Sequence, residues 1–255
     1  MIKVTLKDGS QKEVEQGISI YDLAKQISEG LARVATCGRV DGKVEDLRFK
    51  LEKDCNVEIL TFDSDLDGKK AYWHTTSHIM AQAVKRLFPN TKLAIGPAID
   101  DGFYYDFDVE NNFTDEDKEK IEAEMKKIIK EDLPIERFSL PKKEALELMK
   151  DEPYKCELIN DLADGEEISF YKQGEFTDLC AGPHLMSTGK IKAVKILNNS
   201  GAYWRGDEHN KMLQRIYAIS FPKASLLEEH LQLLEEAKQR DHRKIGKDLN
   251  LFMTH

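Results

Sequence analysis

The sequence lacks several features that would assign it to a familiar class of protein. It has no CxxC pair among its four cysteines and no cysteine spacing typical of a secreted disulfide framework. It has no apolar run of about 18 residues, the length that a membrane-spanning helix needs, and no signal peptide. We therefore expect a soluble, cytoplasmic protein with reduced cysteines and no membrane partner.

An excess of positive charge is missing as well. The 47 acidic residues outnumber the 38 basic ones, which gives a formal net charge of −9. Bulk charge therefore cannot attract nucleic acid, and any such binding must use a local basic patch. The 255 residues, 40% of them hydrophobic, suffice for two domains with sizeable cores.

Residues 1–62 predict a small domain of strands around one helix. Segments 1–6 and 11–15 predict a hairpin, and Ser19 caps a predicted helix from Ile20 to Ile27. Segments 32–40 and 57–62 predict two more strands, with an Asp41-Gly42 turn between them. The order β-β-α-β-β fits a β-grasp, ubiquitin-like domain.

Residues 63–222 predict a second domain with α+β composition, a mixed α/β fold with an antiparallel sheet. A polar linker at 63–70 precedes a helix at 71–88, and Thr114 begins another at 115–130. Segment 151–182 reads as irregular apart from two short strands, and an Asn-Asn-Ser-Gly turn at 198–201 separates two more. A linker helix is predicted within 223–255, from Lys223 to about Lys244.

The first candidate functional feature is a pair of histidines on the helix at 71–88. His74 and His78 are four residues apart, so both imidazoles lie on one helix face. Histidines in an HxxxH pair are often only buried and hydrogen-bonded. Thr75 follows the first histidine, which excludes the HExxH metalloprotease motif, and no GxSxG elbow is present.

A second cluster lies about a hundred residues further on, in DLCAGPH at 178–184. Cys180 alone is most often a small buried hydrophobic residue, but Asp178 and His184 lie beside it on a Gly-Pro turn. The HxxxH and CxxxH pairs could ligate zinc through nitrogen and sulfur. They could instead act without metal by orienting water and a substrate hydroxyl. The residues alone leave both possibilities open.

Several segments together resemble bacterial threonyl-tRNA synthetases, over essentially the whole chain. They are HTTSH (74–78), AIGPAIDDGFYYDFD (94–108), DLCAGPH (178–184), GAYWRGDEHNKMLQRIYA (201–218) and RDHRKIGKDLNLF (240–252). The resemblance implies that 1–62 is a TGS domain, 63–222 an editing domain and 223–255 a linker helix towards a class II catalytic domain.

The same resemblance implies an activity and a site. The editing domain of that family hydrolyses the ester bond of tRNA(Thr) mischarged with serine. We therefore expect tRNA(Thr) carrying serine to be the partner of this chain. By position, the implied catalytic residues are His74, His78, Lys155, Cys180 and His184, and the implied substrate-binding residues are Tyr105 and Asp178. Neither Lys155 nor Tyr105 would have been selected from its own setting, where a solvent-exposed lysine and a core tyrosine are the usual interpretations.

No cofactor and no metal are expected in this chain. The family's zinc, ATP and magnesium belong to the catalytic domain, whose motifs the sequence lacks, so we expect a monomeric N-terminal fragment rather than the family's homodimer. One alternative is a zinc-dependent, alanyl-type editing hydrolase that uses the same His/Cys set. Another is a non-catalytic RNA-binding or regulatory module, because TGS domains also occur in proteins that do not edit.

Overall fold

The structure is a computed structural model, and it describes residues 1–240 of the chain. The predicted extension of the last helix to about Lys244, and most of segment 240–252, lie outside the described residues. No helix within residues 1–240 is long and apolar enough to cross a bilayer.

The first 61 residues form a five-stranded sheet with a helix packed on it. The strands are β1 Ile2–Leu6, β2 Gln11–Val14, β3 Ile18–Ser19, β4 Ala35–Val40, β5 Lys43–Glu45, β6 Lys50–Leu51 and β7 Cys55–Thr61, and the helices are α1 Ile20–Ile27 and α2 Glu29–Val34. The sheet order is β2-β1-β7-β4-β5, with β1 and β7 parallel. Ile20 and Leu23 of α1 are fully buried against the sheet, so the α+β, β-grasp prediction is confirmed.

Two details of this first unit differ from the prediction. Residues 32–34 belong to helix α2 rather than to a strand, because Ser28 ends α1 and then accepts a hydrogen bond from the Leu31 amide as the cap of a second helix. The short strands β3 and β6 pair with each other outside the main sheet. Pattern alone could not identify two-residue strands, whose partners lie about thirty residues away.

Within the described residues, the second unit combines five α-helices with two antiparallel sheets. Its elements are α3 Leu66–Leu87, β8 Lys92–Leu93, β9 Ala98–Ile99, β10 Gly102–Asp108, α4 Asp115–Glu131, β11 Ile135–Ser139, α5 Lys142–Leu148, α6 Pro153–Asp161, β12 Ser169–Gln173, β13 Phe176–Leu179, β14 Ala193–Tyr203, β15 Met212–Phe221 and α7 Ala224–Gln239. The larger sheet has the order β14-β15-β10-β8, with β9 beside β10, and the smaller one is β11-β12-β13. Helices α3 and α4 pack together and supply core residues such as Met80 and Ile121.

The predicted linker at 63–70 is wrong for most of its length. Helix α3 begins at Leu66, with Asp65 as its cap. Gly68 lies inside the helix, where a Cβ would approach the carbonyl oxygen of Thr61 to 2.2 Å. This glycine therefore permits close packing of the helix on the end of β7, rather than flexibility.

Two further predictions in the second unit are corrected. Segment 151–182 contains the helix α6, which begins with Pro153 in its first turn. Residues 198–201 are not a turn, because β14 runs unbroken to Tyr203 along β15, with a register shift between Ile196 and Asn198. The bulge at this shift lets an Asn-rich segment remain in the ladder.

Candidate functional site

Helix α3 presents the histidine pair as the sequence predicts. The ring centroids of His74 and His78 are 5.2 Å apart. His78 is almost completely buried, whereas His74 is partly exposed. Between them, Ser77 donates a hydrogen bond to the carbonyl oxygen of Gly96, which fixes the helix against the segment before β9.

The loop that follows β13 carries the second half of the site. Strands β12 and β13 pair Tyr171 with Asp178, so the chain leaves the sheet beside the tyrosine ring. Gly182 has φ of +81°, and a Cβ there would lie 2.1 Å from the Tyr171 hydroxyl oxygen. Only glycine allows the loop to turn so closely over this ring towards α3.

The two halves meet. The Sγ atom of Cys180 is 3.3 Å from Nε2 of His74 and 3.3 Å from Nε2 of His184. The His184 ring centroid is 4.5 Å from that of His74 and 4.4 Å from that of His78. The structure therefore brings together the three histidines and the cysteine that the sequence separates by up to 110 positions.

A buried ion pair lies beside this cluster. Nζ of Lys155, on α6, is 2.6 Å from Oδ1 of Asp178, and both side chains are nearly inaccessible to solvent. The Tyr105 hydroxyl donates to the other carboxylate oxygen at 2.6 Å. Nδ1 of His78 is 3.7 Å from that same oxygen, so the ion pair is in contact with the histidine helix.

Burial keeps the three histidines neutral at physiological pH. It lowers the pKa of His74 to about 3 and that of His78 to about 4, with His78 adding repulsion at His74. The pKa of His184 is also lowered well below its usual value by burial and by the two neighbouring imidazoles. A neutral imidazole keeps a lone pair free for a water proton, as a general base must, although burial makes each of these imidazoles a weaker base than an exposed histidine.

The remaining groups of the cluster hold their protons differently. Burial raises the pKa of the Cys180 thiol to about 12, although the Gly182 amide partly opposes this. Burial also acts to raise the pKa of Asp178, but Lys155, His78 and the Tyr105 hydroxyl outweigh it and keep the carboxyl ionised. At neutral pH the site therefore holds a thiol and a carboxylate.

These groups surround a cleft of about 500 Å³. Its wall includes His74, His78, Lys155, Asp178 and Cys180, with segments 95–98 and 181–183. Two of the predicted site residues, His184 and Tyr105, are completely buried behind this wall. All seven predicted residues thus lie at one site, five of them on the cleft and two behind it.

Matches to two family models cover parts of both units. The model of the TGS domain matches residues 2–61, and that of the "Threonyl and Alanyl tRNA synthetase second additional domain" matches residues 168–217. The second match spans β12, β13 and the Cys180 loop, so it includes half of the His/Cys cluster.

Similar proteins extend this relation to the whole chain. A threonine–tRNA ligase of Caldanaerobacter subterraneus is 64% identical over 254 residues, which are 99% of this chain and 39% of that protein. Those of Clostridium perfringens and Acetivibrio thermocellus are each 63% identical over 254 residues. The chain belongs to the threonine–tRNA ligase family. It spans about 40% of the length of these relatives.

Within this threonine–tRNA ligase region, the donor set of the cluster suits zinc. One ligand atom from each of His74, His78, Cys180 and His184 lies within 4.8 Å of all the others. Zinc bound at its usual distances needs ligand atoms about 3.3–3.8 Å apart, so the cluster would have to contract. Four protein ligands would also fill a tetrahedral ion and leave it no position for a reacting water.

Three residues that contact the cluster were not selected from the sequence. The Thr75 hydroxyl oxygen is 3.2 Å from Nδ1 of His184. A carboxylate oxygen of Asp46 accepts the His184 amide at 3.0 Å, and Arg48 lies beside Asp46. Thr75 stands inside HTTSH and could have been suspected there. No sequence signal links Asp46 or Arg48 to a loop 138 residues away.

Proposed function

We propose that this chain hydrolyses the ester bond of tRNA(Thr) mischarged with serine. The observation that carries the proposal is the convergence of a neutral histidine pair, a protonated cysteine and a buried Lys155–Asp178 ion pair on one cleft. Such an arrangement supplies a proton acceptor, a fixed positive charge and a fixed negative charge within a few ångströms of each other.

The need for such a reaction follows from the chemistry of the two amino acids. Serine differs from threonine by one methyl group, which is worth only about 1–3 kcal/mol of discrimination in a binding pocket. A second site that admits the smaller ester and excludes the larger one restores accuracy after the transfer to tRNA. Gly96 lets this part of the cleft wall pack directly on the Tyr105 ring, because a Cβ there would lie 2.1 Å from that ring.

The proposed mechanism assigns water activation to the histidine pair. His74 and His78 are on the cleft and neutral, so they can orient a water and the terminal ribose hydroxyl and accept a proton as the water attacks the ester carbon. The Lys155 ammonium group then stabilises the negative charge that develops on the carbonyl oxygen. No step in this mechanism uses a metal.

The other groups bind the substrate or hold the catalytic side chains in place. Asp178 is assigned to the α-ammonium group of the seryl ester, since each carboxylate oxygen has a second lone pair beyond the one used by Lys155 or Tyr105. Tyr105 shapes the amino-acid pocket from behind. Cys180 lines the pocket, because a thiol with a pKa of about 12 is a poor nucleophile at neutral pH. His184 supports Cys180 and the histidine pair.

A paired deacylation assay tests the proposal. Ser-tRNA(Thr) and Thr-tRNA(Thr) are each incubated with the chain, with His74→Ala and Lys155→Ala, and with His209→Ala as the control at an exposed histidine outside the cleft. We expect release of serine but not threonine by the unaltered chain and the control, and strong losses in the two site variants. Binding of tRNA without release of serine would instead favour a non-catalytic RNA-binding module.

A zinc-dependent hydrolase is the second candidate, because the His/Cys donors lie close together. One of the four would have to leave the ion before a water could bind to it. Metal analysis of protein purified without added zinc separates the two. One zinc per chain, together with loss of serine release on chelation and its return on adding zinc, would overturn the metal-free mechanism. Full activity in the presence of a chelator would support it.

A further inference from the structure

The backbone around His184 has no sheet or helix to satisfy its polar groups, yet all four groups of the His184–Leu185 pair are hydrogen-bonded. The His184 amide donates to Asp46 at 3.0 Å, and the Leu185 amide donates to the Thr75 hydroxyl at 3.0 Å. The carbonyl oxygens of His184 and Leu185 accept from Arg48 at 3.3 and 2.8 Å. Three of these four hydrogen bonds are thus made by Asp46 and Arg48 of the first, β-grasp unit.

Asp46 has contacts on both of its carboxylate oxygens. Oδ1 accepts from the Arg48 amide and from Arg48 Nη1, both at 2.8 Å. Oδ2 accepts from the His184 amide and from the Tyr171 hydroxyl at 2.9 Å. Since Gly182 packs against Tyr171, this one carboxylate contacts both the loop, at His184, and the tyrosine over which the loop turns.

Arg48 and Asp46 together form what we call the clamp, in which Arg48 binds through its planar guanidinium group. Besides the two loop carbonyls, its Nε donates to the carbonyl oxygen of Ile135 at 3.0 Å, at the start of β11. Its side chain is 18% exposed and that of Asp46 is 9% exposed, so the charges compensate each other away from bulk water. A guanidinium group can bridge several carbonyls at once, which the ammonium group of a lysine does less well.

We propose that Asp46 and Arg48 are positioning residues for the site on the second unit. They hold the loop so that the His184 ring lies against His74, His78 and Tyr171, whose ring centroids are 4.5, 4.4 and 4.2 Å away. The inference rests on the proposed function for its kinetic consequence, although the placement of His184 can be measured without it. The β-grasp unit is thereby a structural part of the hydrolytic site.

The kinetic test compares Asp46→Ala and Arg48→Ala with Asp54→Ala in the full chain. Asp54 is a matched control, since it belongs to the same unit and also accepts a backbone amide, that of Lys3 at 2.7 Å, but it is exposed and outside the clamp. We expect kcat for serine release to fall on the order of 100-fold in both clamp variants, as for displaced catalytic groups. KM for the seryl-tRNA is expected to change less than about threefold, and the control is expected to match the parent.

A milder variant and a spectrum guard against a simple folding defect. Arg48→Lys keeps the positive charge beside Asp46, so we expect it to fold and to lose less activity than Arg48→Ala. In nitrogen-15 spectra of the imidazoles, the clamp variants are expected to shift the His184 signals while those of exposed His209 stay in place.

The outcomes separate this inference from the proposed function. Active parent protein with unchanged kcat and unchanged His184 signals in the variants would overturn the clamp alone. An inactive parent would overturn the hydrolysis proposal, and the His184 signals would still decide whether Asp46 and Arg48 position the ring. Parallel changes of every histidine signal would show general unfolding and count against a positioning role.

Discussion

Thr75 shows how one hydroxyl group can decide the protonation pattern of the cluster. Its oxygen accepts the Leu185 amide and lies 2.9 Å from the carbonyl oxygen of Ala71, which takes its single proton. The oxygen then has a lone pair for Nδ1 of His184. Because oxygen is a better acceptor than sulfur, we expect the proton of the neutral imidazole on Nδ1, facing Thr75. Nε2 then directs its lone pair at Cys180.

Replacing Thr75 therefore tests this arrangement. We expect Thr75→Val, which keeps the shape of the side chain and removes the hydroxyl group, to lower serine release about 10-fold or more and to destabilise the chain by about 1–3 kcal/mol. Thr75→Ser restores the hydroxyl group and is expected to recover most of the activity. Equal activity of the valine and serine variants would show that the hydroxyl group has no part in positioning His184.

The Cys180 thiol is not expected to attack the substrate. Because burial raises the pKa of its thiol to about 12, we expect no covalent intermediate on sulfur. Cys180→Ala is expected to lower serine release by less than about 100-fold, whereas removal of a true nucleophile costs about a millionfold. Single-turnover rates measure the difference, and a millionfold loss in a folded variant would make Cys180 the attacking group.

At the scale of elements, the site depends on two short local features as well as on the histidine pair within α3. Helix α6 carries Lys155 because Pro153 starts it, and the Cys180 loop turns because Gly182 has no side chain. These are short features whose positions are set by partners distant in the sequence.

A pair of glycine substitutions tests the loop. Gly182 and Gly165 have similar positive φ angles of +81° and +90°, but a Cβ at Gly165 would meet nothing within 4 Å. We expect Gly165→Ala to lose about 1–2 kcal/mol from backbone strain alone. Gly182→Ala carries the same strain plus a clash with Tyr171, so its midpoint of urea unfolding is expected to fall further. Equal midpoints would mean that the loop relaxes freely.

At the scale of the whole molecule, the neutral histidines of the site make stability depend on pH. Their pKa values are lowered in the folded chain, to about 3 for His74 and about 4 for His78, from a usual 6.5. Below pH 6.5 the unfolded chain therefore binds more protons than the folded one. The stability that these neutral groups contribute is present above pH 6.5 and is lost as the pH falls towards 4.

Urea unfolding at pH 7.5, 6 and 5 measures this effect. We expect the free energy of unfolding to fall by up to about 1.4 kcal/mol per pH unit for each buried histidine below pH 6.5. His184→Gln is expected to reduce the slope, whereas His209→Gln, at an exposed histidine, leaves it unchanged. A stability that is constant between pH 7.5 and 5 would show that the histidines are not held neutral by burial.

Elements whose signals are local can be predicted from the sequence. Ser19 and Thr114 cap α1 and α4 at the predicted positions, and the four-residue spacing places His74 and His78 on one face because a helix turns every 3.6 residues. The roles of Lys155 and Tyr105 came only from resemblance to a family. The predicted turn at 198–201 is wrong because pairing along the whole of β15 outweighs the local turn preference of the two asparagines.

The assembly of the site, in contrast, follows from long-range packing. Cys180 and His184 reach the histidine pair because β12 and β13 aim the loop, and Asp46 and Arg48 hold it there from another folding unit. The protonation states follow from burial, which depends on every neighbouring element at once. Local spacing encodes which residues share a helix face, but contacts across more than a hundred residues and the loss of water around them arise only when the chain is folded.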